Sequence, residues 1–274
     1  MKNATAQKRF ESALMKLMNY ERIWTVFGDF LDYSLKLLRW WDVKQEDFAK
    51  LEQKYPGPEN AKLMAEAYFA MVEIADNCGS GFKDPFGDFF MEHLSSERAG
   101  QFFTPETICD FMAMATIGPD LPDGKTVHDP ACGSGRCLLS VGKINRKALF
   151  YGADIDLTCC KMTVINLMLN TMCGEVWWMN TISQERWKTW KLDKLITDTG
   201  HYLPYYTEIE HPPSPPETAP NPETLSARNV QTKVPAPNKK PLKHLPKKTR
   251  SNKTRLNPIT NLKINFQSFN KTKS

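Results

Sequence analysis

The chain has 274 residues, 41% of them apolar, which is enough for one large domain or two small ones with a core. Its net charge of +5 is split: residues 211–274 carry 13 Lys/Arg against 2 Asp/Glu (+11), and residues 1–210 carry 23 against 29 (−6). No run of 18 apolar residues exists, so no membrane span is expected, and charged residues follow the N-terminus, so no secretory signal is read.

Seven cysteines, at 78, 109, 132, 137, 159, 160 and 173, show no paired Cys-x-x-Cys spacing. No metal site is expected, and reduced thiols in a cytoplasmic protein are the reading. In chain order, residues 7–55 are predicted helical. Phe10, Leu14, Leu17 and Met18, then Ile23, Phe27, Phe30 and Leu31, recur at helical spacing. Trp40-Trp41 closes that stretch and Tyr55-Pro56-Gly57-Pro58 breaks it. A second amphipathic helix presents Leu63, Ala67, Ala70, Met71 and Ile74, and ends at Cys78-Gly79-Ser80-Gly81. Residues 1–80 therefore form a helical N-terminal region.

A further helix is predicted over residues 86–98. Thr104 with Pro105 behind it predicts a helix start, with Thr104 as N-cap. That helix is expected to bury Ile108, Phe111, Met112 and Ala115 and to stop near Gly118-Pro119. A short strand, Thr126-Val127-His128, ends at Asp129. The turn Pro130-Ala131-Cys132-Gly133-Ser134-Gly135 leads into a helix bearing Cys137, Leu138, Leu139 and Val141. A second strand (148–153) ends at Asp154-Ile155-Asp156, a helix runs from 157 to about 172, and a third apolar run, Val176-Trp177-Trp178-Met179, ends at Asn180. Strand–helix–strand–helix–strand is the first half of a doubly wound parallel sheet. Residues 183–203 read as amphipathic and partly helical. Signals of order stop after His211.

The turn at 130–135 is where chemistry is expected. Gly133 and Gly135 let the backbone approach a ligand, and the helix behind them offers unpaired N–H groups. Asp129 precedes the turn, and Asp154 closes the next strand at a spacing that suits a ribose diol. A nicotinamide fingerprint fails, because its third glycine position is Leu138. A turn of this kind without a ligand is the plainer alternative.

Gly100-Gln101-Phe102-Phe103-Thr104-Pro105, followed by Asp129-Pro130-Ala131-Cys132-Gly133-Ser134-Gly135, resembles the N6-adenine DNA methyltransferases. The nearest likeness is to the modification subunits of type I restriction–modification systems, over roughly residues 80–180. The resemblance implies an α/β fold: a partial Rossmann-like class I methyltransferase sheet of about three parallel strands, with the helical N-terminal region and a disordered basic tail. It divides the chain into 1–80, an S-adenosylmethionine-binding domain at 81–205, and a Pro/Lys-rich tail at 206–274. It implies S-adenosyl-L-methionine as cofactor, no metal, DNA as partner, and a partner subunit for target recognition. Carried onto this chain, Thr104, with backbone groups of the turn formed by Gln101, Phe102, Phe103, Pro105 and Glu106, would hold the amino-acid end of the cofactor. Asp129 would face its amino group or orient the loop. Ala131, Gly133, Ser134 and Gly135 would approach its sugar and methionine portion. Asp154 would hold the ribose hydroxyls, and Asn180 would stand near the adenine.

One departure marks the reading. The family's catalytic motif is Asn/Asp/Ser-Pro-Pro followed by Tyr, Phe or Trp. This chain offers Ser214-Pro215-Pro216 with Glu217 in place of the aromatic, in a proline-rich setting. It reads as a linker or as a degenerate motif, so the catalytic residues are unassigned. The sheet also reads as short for this fold, with a partner chain expected to supply the rest. Two functions follow: an adenine-specific DNA methyltransferase, or a catalytically incomplete cofactor-binding module working with a partner. A non-functional remnant is a third possibility. The tail, with Lys239-Lys240 and Lys247-Lys248-Thr249-Arg250, is expected either to contact phosphate backbone or to be solvated without a partner.

Overall fold

The computed structural model describes residues 2–95 and 102–211. Gln101, both Pro-Pro pairs and the basic tail lie outside them, so the expectations for those segments are not addressed. Among the described residues no helix is long and apolar enough to cross a membrane.

The N-terminal apolar spacing becomes buried stripes. Helix α1 (Lys2–Leu17) buries Phe10, Leu14 and Leu17, and α2 (Ile23–Leu38) buries Ile23, Phe27, Phe30 and Leu31. A 3₁₀ turn (Gln45–Phe48) and α3 (Ala49–Lys54) lead to the expected break at Tyr55–Pro58. Pro58 then opens α4 (Pro58–Asp76), where a missing N–H costs nothing. This helix buries Met64, Ala67, Ala70, Met71 and Ile74, with Leu63 at the stripe's margin. Helix α5 (Gly87–His93) is shorter than the predicted 86–98. Its Phe89 ring lies 5.4 Å from both Phe10 and Phe27, and Phe10 lies 5.3 Å from Phe30. Such ring contacts add to the apolar burial that holds α1, α2 and α5 together.

Helix α6 (Glu106–Thr116) departs from expectation twice. Its N-cap is Pro105, not Thr104: Pro105 is extended (φ −56°, ψ 144°), and its carbonyl accepts from the amides of Ile108 and Cys109 at 3.0 Å. The buried face is also the opposite one. Cys109 and Ala113 are buried, whereas Ile108, Phe111, Met112 and Ala115 are exposed. The helix is apolar on most sides, so periodicity cannot choose a face. Its neighbour chooses, and α7 packs against the small side chains.

The expected sheet forms. Strand β1 (Thr126–Asp129), helix α7 (Arg136–Ile144), strand β2 (Leu149–Asp154), helix α8 (Leu157–Leu169) and strand β3 (Cys173–Asn180) follow in order. β1 pairs with β2 and β2 with β3, both parallel. The partly helical expectation for 183–203 is overturned. Strands β4 (Glu185–Ile196) and β5 (Tyr202–Glu210) add an antiparallel ribbon, giving the order β1-β2-β3-β4-β5. Trp190 and Leu192 are buried and alternate with exposed Lys191 and Asp193, the period of a strand. Pairing with β3 and β5 satisfies the backbone, which the sequence pattern alone does not reveal.

Helix α8 is buried on nearly every side, from Cys159 to Leu169. It lies between the sheet and the N-terminal helices, so one apolar cluster runs through both. Polar ties reinforce this packing. Tyr206 Oη donates to the Leu35 carbonyl at 2.9 Å, Trp40 Nε1 donates to the Pro204 carbonyl at 3.0 Å, and Lys161 pairs with Asp32. On the other face of the sheet His128 stacks on Tyr151 at 4.7 Å, and Trp177 follows at 5.6 Å under the Arg186 guanidinium.

Candidate functional site

The carboxyl ends of β1, β2 and β3 lie side by side because the strands are parallel. They deliver Asp129, Asp154 and Asn180 to one rim of the sheet, where open α/β sheets receive ligands. The 130–135 turn rises from the same rim. Gly133 and Gly135 have φ of +55° and +82°, the left-handed region that side chains disfavour. A Cβ at Gly133 would stand 3.1 Å from the Phe103 ring, and one at Gly135 3.0 Å from Thr163 Oγ1. The glycines therefore let the turn pass between Phe103 and α8. Gly135 is also the N-cap of α7 and has no side chain to bond the first amides, so the helix presents unpaired N–H groups.

The two acids differ in their ties. Asp129 Oδ1 accepts from the Ala131 amide at 3.1 Å. Asp154 accepts from the Gly133 amide through Oδ2 and from the Asp156 amide through Oδ1, each at 2.9 Å. Asp154 thus pins the glycine turn to the end of β2. Burial pushes Asp129 above the ordinary aspartate value, against the pull of the Ala131 amide. Burial also raises Asp154; the Asp156 and Gly133 amides oppose this, and the charges of Asp156 and Asp129 add to it. Two carboxylates with raised affinity for protons, close enough to feel each other, suit a cationic or hydroxyl-rich ligand.

The remaining sequence-predicted residues are placed as follows. Ala131 is on the turn between the two acids. Phe102 is 80% exposed, while Phe103 stacks on Phe90 at 4.7 Å. Thr104 and Pro105 are exposed, and the Thr104 carbonyl faces Arg136 Nη1 at 3.5 Å. Glu106 turns away from the rim to Lys83 and Lys143. Burial works against its ionisation, but the two lysines outweigh it and hold its pKa below the ordinary value. Asn180 Oδ1 accepts from the amides of Ile182 (3.0 Å) and Ser183 (3.2 Å), capping the β3–β4 turn. Ser134 is buried, and its hydroxyl donates to Asp84 at 2.6 Å rather than facing the rim.

Asp84 was not singled out by the sequence, yet it anchors the site from below. Its carboxylate accepts from Ser134 Oγ, Arg136 Nε (3.0 Å), Asn166 Nδ2 (3.0 Å) and the amides of Phe86 (3.0 Å) and Gly87 (3.2 Å). Arg136 also pairs with Asp88 at 2.9 Å, and Asn166 donates to the Ser134 carbonyl at 2.8 Å. Thr163 Oγ1 donates to the Gly133 carbonyl at 2.9 Å. One signal was available: Asp84-Pro85 predicts a local turn, and the Phe86 amide bonded to Asp84 is that turn. The partners at 134, 136 and 166 leave no local trace.

Residues 83–214 match the profile of the family described as N-6 DNA Methylase. The chain is also similar to the type I restriction enzyme MpnII methylase subunit of Mycoplasma pneumoniae, 34% identical over 101 residues. That match covers 32% of this chain and only 18% of that subunit. A crystal structure of a type I restriction–modification methyltransferase subunit from Streptococcus thermophilus aligns with a TM-score of 0.35 and 15% identity. The alignment covers 61% of this chain and 56% of that one, a likeness too loose to carry any part of the reading.

Proposed function

We propose that the chain, whose residues 83–214 match the N-6 DNA Methylase family, binds S-adenosylmethionine at the rim formed by Asp129, the 131–135 turn and Asp154, and serves methylation of adenine in DNA. The observation that carries the reading is the pairing of a glycine turn, open only because Gly133 and Gly135 lack Cβ atoms, with two flanking acids. The chemistry of the cofactor fits. Its ammonium group and ribose hydroxyls are donors that carboxylates accept, and its carboxylate suits the free amides at the start of α7. Asp129 would take the ammonium group and Asp154 the ribose, with Phe103 packed against the glycine turn beside them. When bound, the cofactor supplies the methyl group.

The target adenine must leave the duplex to be reached, and an aromatic side chain beside a proline carbonyl normally receives it. Glu217 stands where that aromatic would be. This favours a second reading, in which the chain holds the cofactor and a partner subunit supplies base recognition. DNA would be met through the segment 211–274, since residues 1–210 carry a charge of −6.

Calorimetry with S-adenosylmethionine, followed by methyl transfer to adenine-containing DNA with and without a partner subunit, separates the readings. Binding with transfer supports the enzyme, and binding without transfer supports the module. No binding by well-folded protein removes both.

A further inference from the structure

Two cysteines meet where α6 packs against α7. Cys109 lies in the first turn of α6 and Cys137 in the first turn of α7, with their sulfurs 3.0 Å apart. Cys109 is 1% exposed and Cys137 is partly open to solvent. The two sulfurs touch, and a disulfide would draw them together by only about 1 Å more, to an S–S bond of about 2 Å. The helices they join begin at two segments of the candidate site: the 102–105 segment leads into α6 and the 131–135 turn leads into α7. Adjacent Cys159 and Cys160 share α8 and so join no two elements.

We propose that Cys109 and Cys137 are a reversible disulfide pair which, when oxidised, clamps α6 to α7 and draws the 102–105 segment closer to the glycine turn. The clamping step stands on the sulfur contact; its effect on cofactor binding rests on the reading given under Proposed function.

The chemistry needs one co-reactant, a low-molecular-weight disulfide such as glutathione disulfide. The Cys137 thiolate attacks one of its sulfurs, breaks that S–S bond and releases a thiolate. The Cys109 thiol passes its proton to that thiolate, and its sulfur then attacks Cys137 Sγ and displaces the second glutathione. Two protein thiols lose two electrons in all, and one disulfide is reduced to two thiols. The roles follow from the environment. Cys137 is the accessible sulfur and sits at a helix N-terminus, which favours its thiolate. Donation from Cys109 pulls Cys137 down further, against burial and the Asp129 charge, with help from Arg136. The same contact and burial push Cys109 up, so it stays a thiol until the second step.

That approach has little slack to use. A single Cβ at Gly133 would already be 3.1 Å from the Phe103 ring. That ring already packs on the turn, so drawing α6 toward α7 presses the 102–105 segment further onto the rim the cofactor must reach.

The full chain is to be incubated with glutathione disulfide or with a reducing thiol, then compared by intact mass, peptide mapping, thermal melting and calorimetry. We expect a loss of two hydrogens, a Cys109–Cys137 cross-linked peptide, and a Tm raised by roughly 5–10 °C through restriction of the unfolded chain. Cofactor affinity is expected to fall at least about fivefold, the lower end of ordinary coupling between sites, and to recover on reduction. Cys109→Ser should trap a glutathione adduct on Cys137, and Cys137→Ser should take up none at Cys109. A cross-link elsewhere, or no cross-link in folded wild-type protein, overturns the pair. A Cys109–Cys137 bond that leaves affinity unchanged overturns the effect on the cofactor. If the reduced protein binds no cofactor at all, the proposed function fails, while mass and melting still decide the disulfide.

Discussion

The rim and the polar knot beneath it hold the same residue type under opposite conditions. In the knot, Asp84 is buried and accepts from five donors, which leave its carboxylate nothing to offer a ligand. At the rim, Asp129 has one protein donor and Asp154 has two, both backbone amides of neighbouring turns. A saturated carboxylate fixes geometry, and an under-used one at a rim can take a new partner. The contrast explains why Ser134, although part of the glycine turn, belongs to the knot: its hydroxyl points down to Asp84.

The contrast breaks most visibly at Asp84. Asp84→Ala strips the Arg136 guanidinium of its buried counter-charge, leaving it exposed Asp88 and a long contact to the Thr104 carbonyl, and should cost about 3–5 kcal/mol of stability. Chemical denaturation measures it, and a cost below about 1 kcal/mol would show that the knot does not hold the turn. Gly133→Val comes next. It forces a β-branched residue into φ +55° against the Phe103 ring, which should cost roughly 1–3 kcal/mol and abolish cofactor binding.

Asp154→Ala should weaken S-adenosylmethionine by roughly one to two powers of ten, because a half-buried acceptor for the ribose diol and the tie to Gly133 are both lost. An unchanged dissociation constant would remove Asp154 from the site. The same acids set a pH dependence. Their pKa values lie above 3.8, so on acidification Asp129 and Asp154 lose their charge before an ordinary aspartate would. Cofactor affinity should therefore be full at neutral pH and fall at a pH still above 3.8. Stability moves the other way at these two groups. The folded state binds their protons more tightly, so their contribution is fully present below pH 3.8 and is lost as pH rises through the raised values. Glu106 and Asp110 have lowered values: burial raises Asp110, but the Lys143 ammonium at 2.8 Å pulls it down further. Their contribution is therefore present above the ordinary carboxylate range and lost only as pH falls through those values. Calorimetry and melting curves from pH 8 to pH 4 should thus show affinity falling before the fold weakens; a parallel fall of both contradicts the assignment.

The smallest effect is expected at the surface of α6. Phe111 is 70% exposed, so Phe111→Ser should change stability by no more than about 0.5 kcal/mol. A larger loss would mean that this face is covered in solution.

Much of this was legible beforehand. The β1–α7–β2–α8–β3 order, the glycine turn and the acids at the strand ends follow from strand-length apolar runs, intervening helical periodicity and glycines where the backbone must turn. The antiparallel ribbon was not legible. Trp187 and Trp190 suit a helix, while Trp190 and Leu192 suit a strand, and only pairing with β3 and β5 decides between them. The buried face of α6 was read the wrong way round for the same reason, since an apolar helix has no preferred side until a neighbour is placed.

By itself the sequence determined which residues stand at the strand ends, because that depends on local order along the chain and on the short reach of a turn. Only the tertiary structure decided which of them remain open to a ligand. That choice rests on partners 50 to 82 residues away in sequence, as Asp84 is from Ser134, Arg136 and Asn166. Hydrogen-bond saturation is a property of three-dimensional neighbours, and no local pattern encodes it.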